Sequence, residues 1–406
     1  MNRTATPLAL AALLVTGTLG ARADETPKAA SAPSAPNAAV VYWQAFAAMP
    51  SLDEQQKTLL NPAISSVTAP LHIQLPPIVA LYDRALHELH RARAIAPCDW
   101  QLDTASGPEL LLPHLEKARS LSRVALLRAR LRFASGDTDA GVSDALAVLK
   151  LARDCGASPV VISILVGAAV EQAATDVLTA HMNTLNKAQL TQLAEALREL
   201  PATRDMALAI REEGRSFCNW LERKIDGEAA RLSDPQAGES LVKAIGLSLG
   251  VEVGKASGGQ DAEAQRKAQM LKPLTVADVR ESLKLLRADY DALGQAASLP
   301  FAERAGRLKA HADSLASARQ MKTREDALRF LSVLILPALS KACAREEEML
   351  VRRELLRLAI ASSLGDASPV WDVRGWKVEH RKTAQGFELH CLLDDKPVAL
   401  IVAGKP

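Results

Sequence analysis

The sequence predicts a mainly α fold, in which stacked antiparallel helical hairpins carry a small C-terminal antiparallel β-meander. Three observations predict it. Residues 114–178 hold three apolar segments separated by the short breaks GDTD and CGASP. In the first of them Leu115, Ala118, Leu121, Ser122, Ala125, Ala129, Arg132 and Phe133 recur every three or four positions, the spacing of one helix face. Aromatic residues make up only 3% of a chain that is 48% hydrophobic, so the core must be built from Leu, Ala, Val and Ile, a mixture suited to closely spaced helices. The apolar period shortens to two only near the C-terminus. The 406 residues allow one large or two ordinary domains with a sizeable core.

Taken in order, residues 1–23 read as a secretory signal: Arg3, an apolar run from Pro7 to Leu19, and Ala21-Arg22-Ala23 as the cleavage site. The run is too short to span a bilayer comfortably. Export to the periplasm or the extracellular space is expected, with no transmembrane anchor after cleavage. Removal of this segment takes away Arg3 and Arg22 and no acid, so the formal charge of +2 falls to zero. A neutral mature chain has no whole-molecule attraction for nucleic acid. Residues 24–37 are rich in Pro, Ala and Ser and read as a disordered leader.

Residues 38–365 form the predicted helical domain. Asn37 is a candidate N-cap for AAVVYWQAFAAM, and Ser51, Asp53 and Glu54 open a short helix toward Leu60. A helix of about five turns follows from Ile78 to Ala96. Residues 99–112, with Gly107 and Pro108, read as a long connection before the three central segments. Asn186 with Gln189 has the spacing of a capping box, and a long charged helix runs from Met206 to Leu232. A small-residue helix is expected from Glu239 to Ala256, then helices from Thr275, Pro300 and Thr323, the last a long one that Pro337 should kink or split. Residues 366–406 form the meander: WKVEHRKT, FELHCLL and PVALIVA alternate in the manner of three strands separated by two turns, and must pack on the helices to be stable.

The stretch Ser135-Gly-Asp-Thr-Asp-Ala-Gly-Val-Ser-Asp-Ala-Leu-Ala-Val-Leu resembles the turn and second helix of a tetratricopeptide repeat, with Gly141, Val142, Ala145, Val148 and Leu149 at packing positions. The likeness covers one repeat of about 34 residues and implies helix-hairpin stacking. The Arg-rich helix before Trp371-Asp-Val-Arg-Gly-Trp376, with Gly386-Phe-Glu-Leu after it, is similar to the tails of uncharacterised secreted helical proteins of bacteria.

Five cysteines lie far apart, none at metal-ligand spacing. If neighbouring helices alternate in direction, Cys98 and Cys155 fall at the same end of the bundle, and a disulfide between them is expected in an oxidising compartment. Glu171 interrupts a very apolar segment. Buried, it needs a cation, and Arg123 and Arg130 of the first segment are the candidates for a structural ion pair. The other arginines of that segment are expected to lay their stems along the apolar stripe and meet acids of neighbouring helices.

Gly246-Leu-Ser248-Leu-Gly250 has the form of a nucleophile elbow, but that motif needs a strand-to-helix turn on a parallel sheet, and no alternation of strands and helices is present. Glycines at 246, 250, 254 and 258 give one narrow helix face instead. The stretch Gly250 to Ala256 lacks the spacing and hydroxyl of a phosphate loop, and His87-Glu-Leu-His90 lacks the spacing of a zinc-protease helix, so neither a metal nor a cofactor is expected. With no convergent catalytic set, the function expected is a non-enzymatic binding or scaffold role in the cell envelope, toward an unidentified protein or small ligand. The alternatives are a serine hydrolase using Ser248, or a carrier of an apolar ligand held between helices.

Overall fold

The computed structural model describes residues 36–231, 238–248, 269, 271, 273–336, 339–366, 370–373, 376–384, 386–393 and 396–403. The predicted signal and all but the end of the leader lie outside these residues, as do Pro337 and the glycines at 250, 254 and 258.

The protein is mainly α-helical with a small C-terminal antiparallel sheet. The first helices are α1 (Ala38–Ala47), α2 (Glu54–Ser65), α3 (Leu75–Ala80) and α4 (Asp83–Arg93). Asn37 caps α1 by accepting from the Ala39 N–H at 3.0 Å, and Asp53 with Gln56 forms a capping box at α2. The single helix expected from Ile78 is interrupted at Leu81 and Tyr82, where the backbone leaves one helix and starts the next. Then come the central helices α5 (Pro113–Ala134), α6 (Thr138–Cys155) and α7 (Val161–His181), followed by α8 (Lys187–Glu199), which starts on the Asn186–Gln189 capping box.

The most enclosed of these is α6. Every residue from Asp144 to Cys155 is buried, because α4, α5, α7 and α8 surround it. In α5, burial extends beyond the predicted stripe to Val124, Leu126, Leu127 and Arg130, whereas Arg132 is half-buried. The stretch 161–184 is long and apolar enough to cross a membrane by length and composition, and 56% of its most apolar window is buried inside the protein.

The second half comprises α9 (Met206–Ala229), α10 (Gly238–Ser248), α11 (Val276–Ala297), α12 (Phe301–Ala318), α13 (Arg324–Leu328), α14 (Phe330–Ile335) and α15 (Leu339–Ser363). Thr275 with Asp278, and Thr323 with Asp326, form capping boxes at α11 and α13, but the long helix expected from Thr323 breaks already at Arg329, between α13 and α14. Helices α9 and α11 lie along one another. The sheet has four strands in the order β1 (Val370–Val373), β2 (Trp376–Thr383), β3 (Gly386–Leu393) and β4 (Lys396–Ala403). Sequence pattern anticipated the last three. The first adds Val370 opposite Glu379 and Val373 opposite Trp376, too short a segment to show a period of its own. Val378, Leu389 and Cys391 carry the sheet into the helical core.

Two apolar cores result. The first joins α1–α8, the C-terminal half of α15 and the sheet; the second joins α9–α14. Two helices serve both. Val161 and Ile164 of α7 belong to the second core while Val170 to Leu178 belong to the first, and along α15 the change falls between Cys343 and Val351.

Candidate functional site

A cavity of about 400 Å3 opens beside the start of α7, where the 99–112 connection, α9, α11 and α15 meet. Its walls come chiefly from Leu110, Leu112, Val161, Leu165, Phe217 and Leu339. Size and lining match those of small-molecule sites, which are mostly apolar with a few placed polar groups.

The connection is ordered rather than slack. Asp103 caps a 3-10 turn over Thr104–Glu109, accepting from the Ala105 N–H at 3.1 Å and the Ser106 hydroxyl at 2.7 Å. At Gly107 the chain takes φ +58°, and a Cβ there would stand 2.5 Å from Trp220 Cγ. Glycine therefore meets two demands at one position, the left-handed backbone and the close approach to α9. Arg223 of α9 donates to the Ala105 carbonyl at 2.9 Å, and Lys224 lies 5.5 Å above the Trp220 ring and 3.4 Å from Glu109. The turn is thus strapped across α9, and Leu110 and Leu112 roof the cavity.

The carboxyl in this apolar space is that of Glu213. Its Oε2 accepts from the Val161 N–H at 2.8 Å, satisfying one of the donors left open at the N-terminus of α7. Among the described residues its other oxygen makes no hydrogen bond and no Lys or Arg pairs with it. Burial pushes the Glu213 carboxyl up, and the Val161 hydrogen bond offsets part of that rise. Tyr290 of α11 stands on the same wall, its phenol also pushed up by burial and by the nearby Glu213. Gly214 makes this possible, because a Cβ at that position would fall 2.5 Å from Tyr290 Cγ. The rim is apolar too: Ile162 is 47% exposed and Leu111, between two lining residues, 81%.

The residues singled out from the sequence lie elsewhere. Cys98 and Cys155 do share one end of the bundle, since the Trp100 indole donates to the Asp154 carbonyl at 2.9 Å. The expected bridge is corrected: both are thiols. Cys155 is buried in the first core and Cys98 half-buried against it, and burial pushes both thiols well up, which disfavours the thiolate that disulfide exchange requires.

Glu171 is buried and ion-paired, but the partner expected for it is also corrected. It meets Arg153 of α6 at 2.9 Å and Arg353 of α15 at 2.8 Å, not Arg123 or Arg130. Arg130 turns instead to the last turn of α2 and the loop after it, donating to the carbonyls of Ala63 at 2.7 Å, Ser66 at 3.1 Å and Ala69. Arg123 lines a shallow depression beside the same loop.

The arginines Arg128 and Arg132 do meet an acid of the neighbouring helix. Fully buried Asp144 receives Arg128 at 2.6 Å, Arg132 at 2.8 Å and His90 Nε2 at 2.7 Å. Burial alone would raise the Asp144 carboxyl, yet these donors outweigh it and hold the group below its usual range. His90 is thereby a structural partner. Among the described residues no three metal-ligating side chains cluster. Ser248 is the last residue of α10, so the residues before it are helical rather than a strand.

Sequence reasoning missed two features. One is the Tyr42 hydroxyl donating at 2.7 Å to Asp154, which Lys150 also binds inside the first core. The other is the cavity. A signal for it existed in Glu213-Gly214, a glycine inside an otherwise strong helix, which is unfavourable by about 1 kcal/mol and so marks a close approach.

Comparison of the chain with family models, curated proteins and solved structures finds no match, so the chemistry of the site stands alone.

Proposed function

We propose that this chain is an exported helical binding protein that carries a small apolar ligand with a hydroxyl or amine head in the cavity at Glu213. The observation that carries this reading is a half-buried carboxyl with no cationic partner, facing an apolar space of about 400 Å3. The fully buried carboxyls Asp144 and Glu171, by contrast, are matched by guanidinium groups. One left open toward an apolar cavity has hydrogen-bonding capacity for something that enters from outside.

The head group follows from charge. An amine or hydroxyl satisfies the open carboxyl oxygen in either protonation state, whereas a carboxylate head would bring a second negative charge into a poorly solvated site. The apolar body follows from the Leu, Val and Phe walls. Exposed Leu111 and Ile162 at the rim suit uptake from an apolar donor such as a membrane or a partner protein. Support for the exported location is the charged, apolar and small-residue order of residues 1–23.

Native mass spectrometry of the protein purified without detergent tests the reading. The expected result is an adduct of several hundred daltons that is absent from Ser216→Phe, a substitution that fills the cavity from α9. Wild-type protein that remains ligand-free after incubation with a hydrophobic extract of its own cells, with the extract recovered intact, overturns it.

A further inference from the structure

Where α6, α7, α8 and α15 converge, a polar cleft of about 180 Å3 lies between the helices, away from the Glu213 cavity. Four guanidinium groups line it, those of Arg153, Arg198, Arg353 and Arg357, against the two carboxylates Glu171 and Glu354. The surplus is two positive charges.

Internal pairing leaves that surplus in place. Both oxygens of Glu171 are committed: Oε1 accepts from Arg153 at 2.9 Å and from Arg353 at 2.8 Å, and Oε2 from Arg353 at 3.0 Å. Glu354 is taken by Arg357 at 3.2 Å on its own helix. Arg198 has no ion-pair partner among the described residues. Arg153 is the informative member. It is only 6% exposed, its Nη1 donates to the Pro201 carbonyl at 2.9 Å, and its Nε–H has no acceptor. Burial lowers its hold on the proton, and Arg353 and Arg357 nearby push in the same direction.

A buried guanidinium with an unsatisfied donor and cationic neighbours is an expensive arrangement. An oxyanion would remove both costs, because it supplies acceptors for several N–H groups and the missing negative charge. Phosphate fits better than a monocarboxylate. Its charge of about −1.5 to −2 near neutral pH matches the surplus, and its oxygens suit the fork geometry of arginine. We propose that this cleft is an oxyanion site that takes a phosphate group, with Arg153 as its buried floor and Arg198 and Arg357 as its exposed rim. The proposal does not depend on the Glu213 cavity.

The test is isothermal titration of the full-length protein with inorganic phosphate at pH 7.5 and low chloride, together with co-sedimentation on vesicles containing phosphatidic acid, whose headgroup is a phosphomonoester. Both are repeated with the double variant Arg198→Gln/Arg357→Gln, which alters only exposed rim groups and leaves the Arg153–Glu171–Arg353 cluster in place. Arg280→Gln, on the far helix α11, is the control. Saturable phosphate binding, weakened about tenfold in the double variant and unchanged in the control, is the expected result. Binding confined to the vesicles and lost in the same double variant also supports the site and assigns the phosphate to a lipid headgroup. No saturable binding in either assay, or binding that the double variant leaves unchanged, overturns the proposal.

Discussion

The first core and the Glu213 cavity handle carboxylates in opposite ways. In the first, Asp144 is held by Arg128, Arg132 and His90, Asp154 by Lys150 and Tyr42, and Glu171 by Arg153 and Arg353. These carboxylates link α1, α4, α5, α6, α7 and α15, so charge acts there as internal scaffolding. At the edge of the second core, Glu213 has one backbone N–H and an open apolar space. The difference teaches that burial of a carboxylate is not by itself a mark of function. Glu213 differs from the others in being half-buried at a cavity wall and in lacking a cationic partner.

That contrast sets the largest expected effect. Glu171→Ala removes the anion that faces two guanidinium groups, one of them buried, and should cost about 3–5 kcal/mol, as breaking a buried pair from one side does. Urea unfolding followed by circular dichroism measures it. Glu213→Gln keeps the acceptor for Val161 and discards a poorly solvated acid, so it should leave stability unchanged or raised. If both substitutions destabilise equally, the distinction between the first core and the Glu213 cavity fails.

Next in size is Gly214→Val. The new side chain meets the Tyr290 ring from 2.5 Å outward, and overpacking of this kind costs about 1–3 kcal/mol. Ligand binding should fall with it, because Tyr290 forms part of the cavity wall. A variant as stable as wild type would show that α9 and α11 do not need this close approach.

A pH series separates the two regions by sign. In the first core His114 stacks on Trp100 at 4.4 Å, and burial holds it down to about 4 from an ordinary value of 6.5. The unfolded chain therefore takes up the proton first as pH falls, so stability present above pH 6.5 is lost progressively toward pH 4. In His114→Phe that part of the acid slope of Tm should vanish. Glu213 runs the other way. Its carboxyl is raised above its ordinary value of 4.5, so its contribution is complete below that pH and is lost as pH rises through the folded value. The thermal advantage of Glu213→Gln should therefore grow from pH 4 to pH 8. The reverse trend would mean that Glu213 has a cationic partner after all.

Smallest is the surface. Arg280 and Asp226 pair at 3.0 Å with both side chains more than half exposed, and Arg280→Ala should change stability by less than about 0.5 kcal/mol.

The fold was legible in the sequence because local signals dominate it. The caps at Asn37, Asp53, Asn186, Thr275 and Thr323 all act in the structure, and the central hairpin turns where Gly136 and Asp137 stand. Pairings across long separations were not legible. Nothing in the pattern tells Glu171 to meet Arg353, 182 positions away, rather than an arginine of α5. The cavity was hidden for the same reason. It depends on a connection that folds back over Trp220, more than a hundred positions later, and connection residues carry no periodicity to read. Only Gly107 and Gly214 hinted at it, each by standing where a side chain would collide.

The most direct test of the ligand reading is a fluorescence titration with two probes that share one body and differ in the head, 1-aminoanthracene and anthracene-1-carboxylate. At pH 7.5 the amine should bind at least about tenfold more tightly, a difference of about 1.4 kcal/mol, and Glu213→Gln should erase that preference. Equal affinity for the two probes in the wild-type protein, or a preference for the carboxylate, would contradict the account of Glu213.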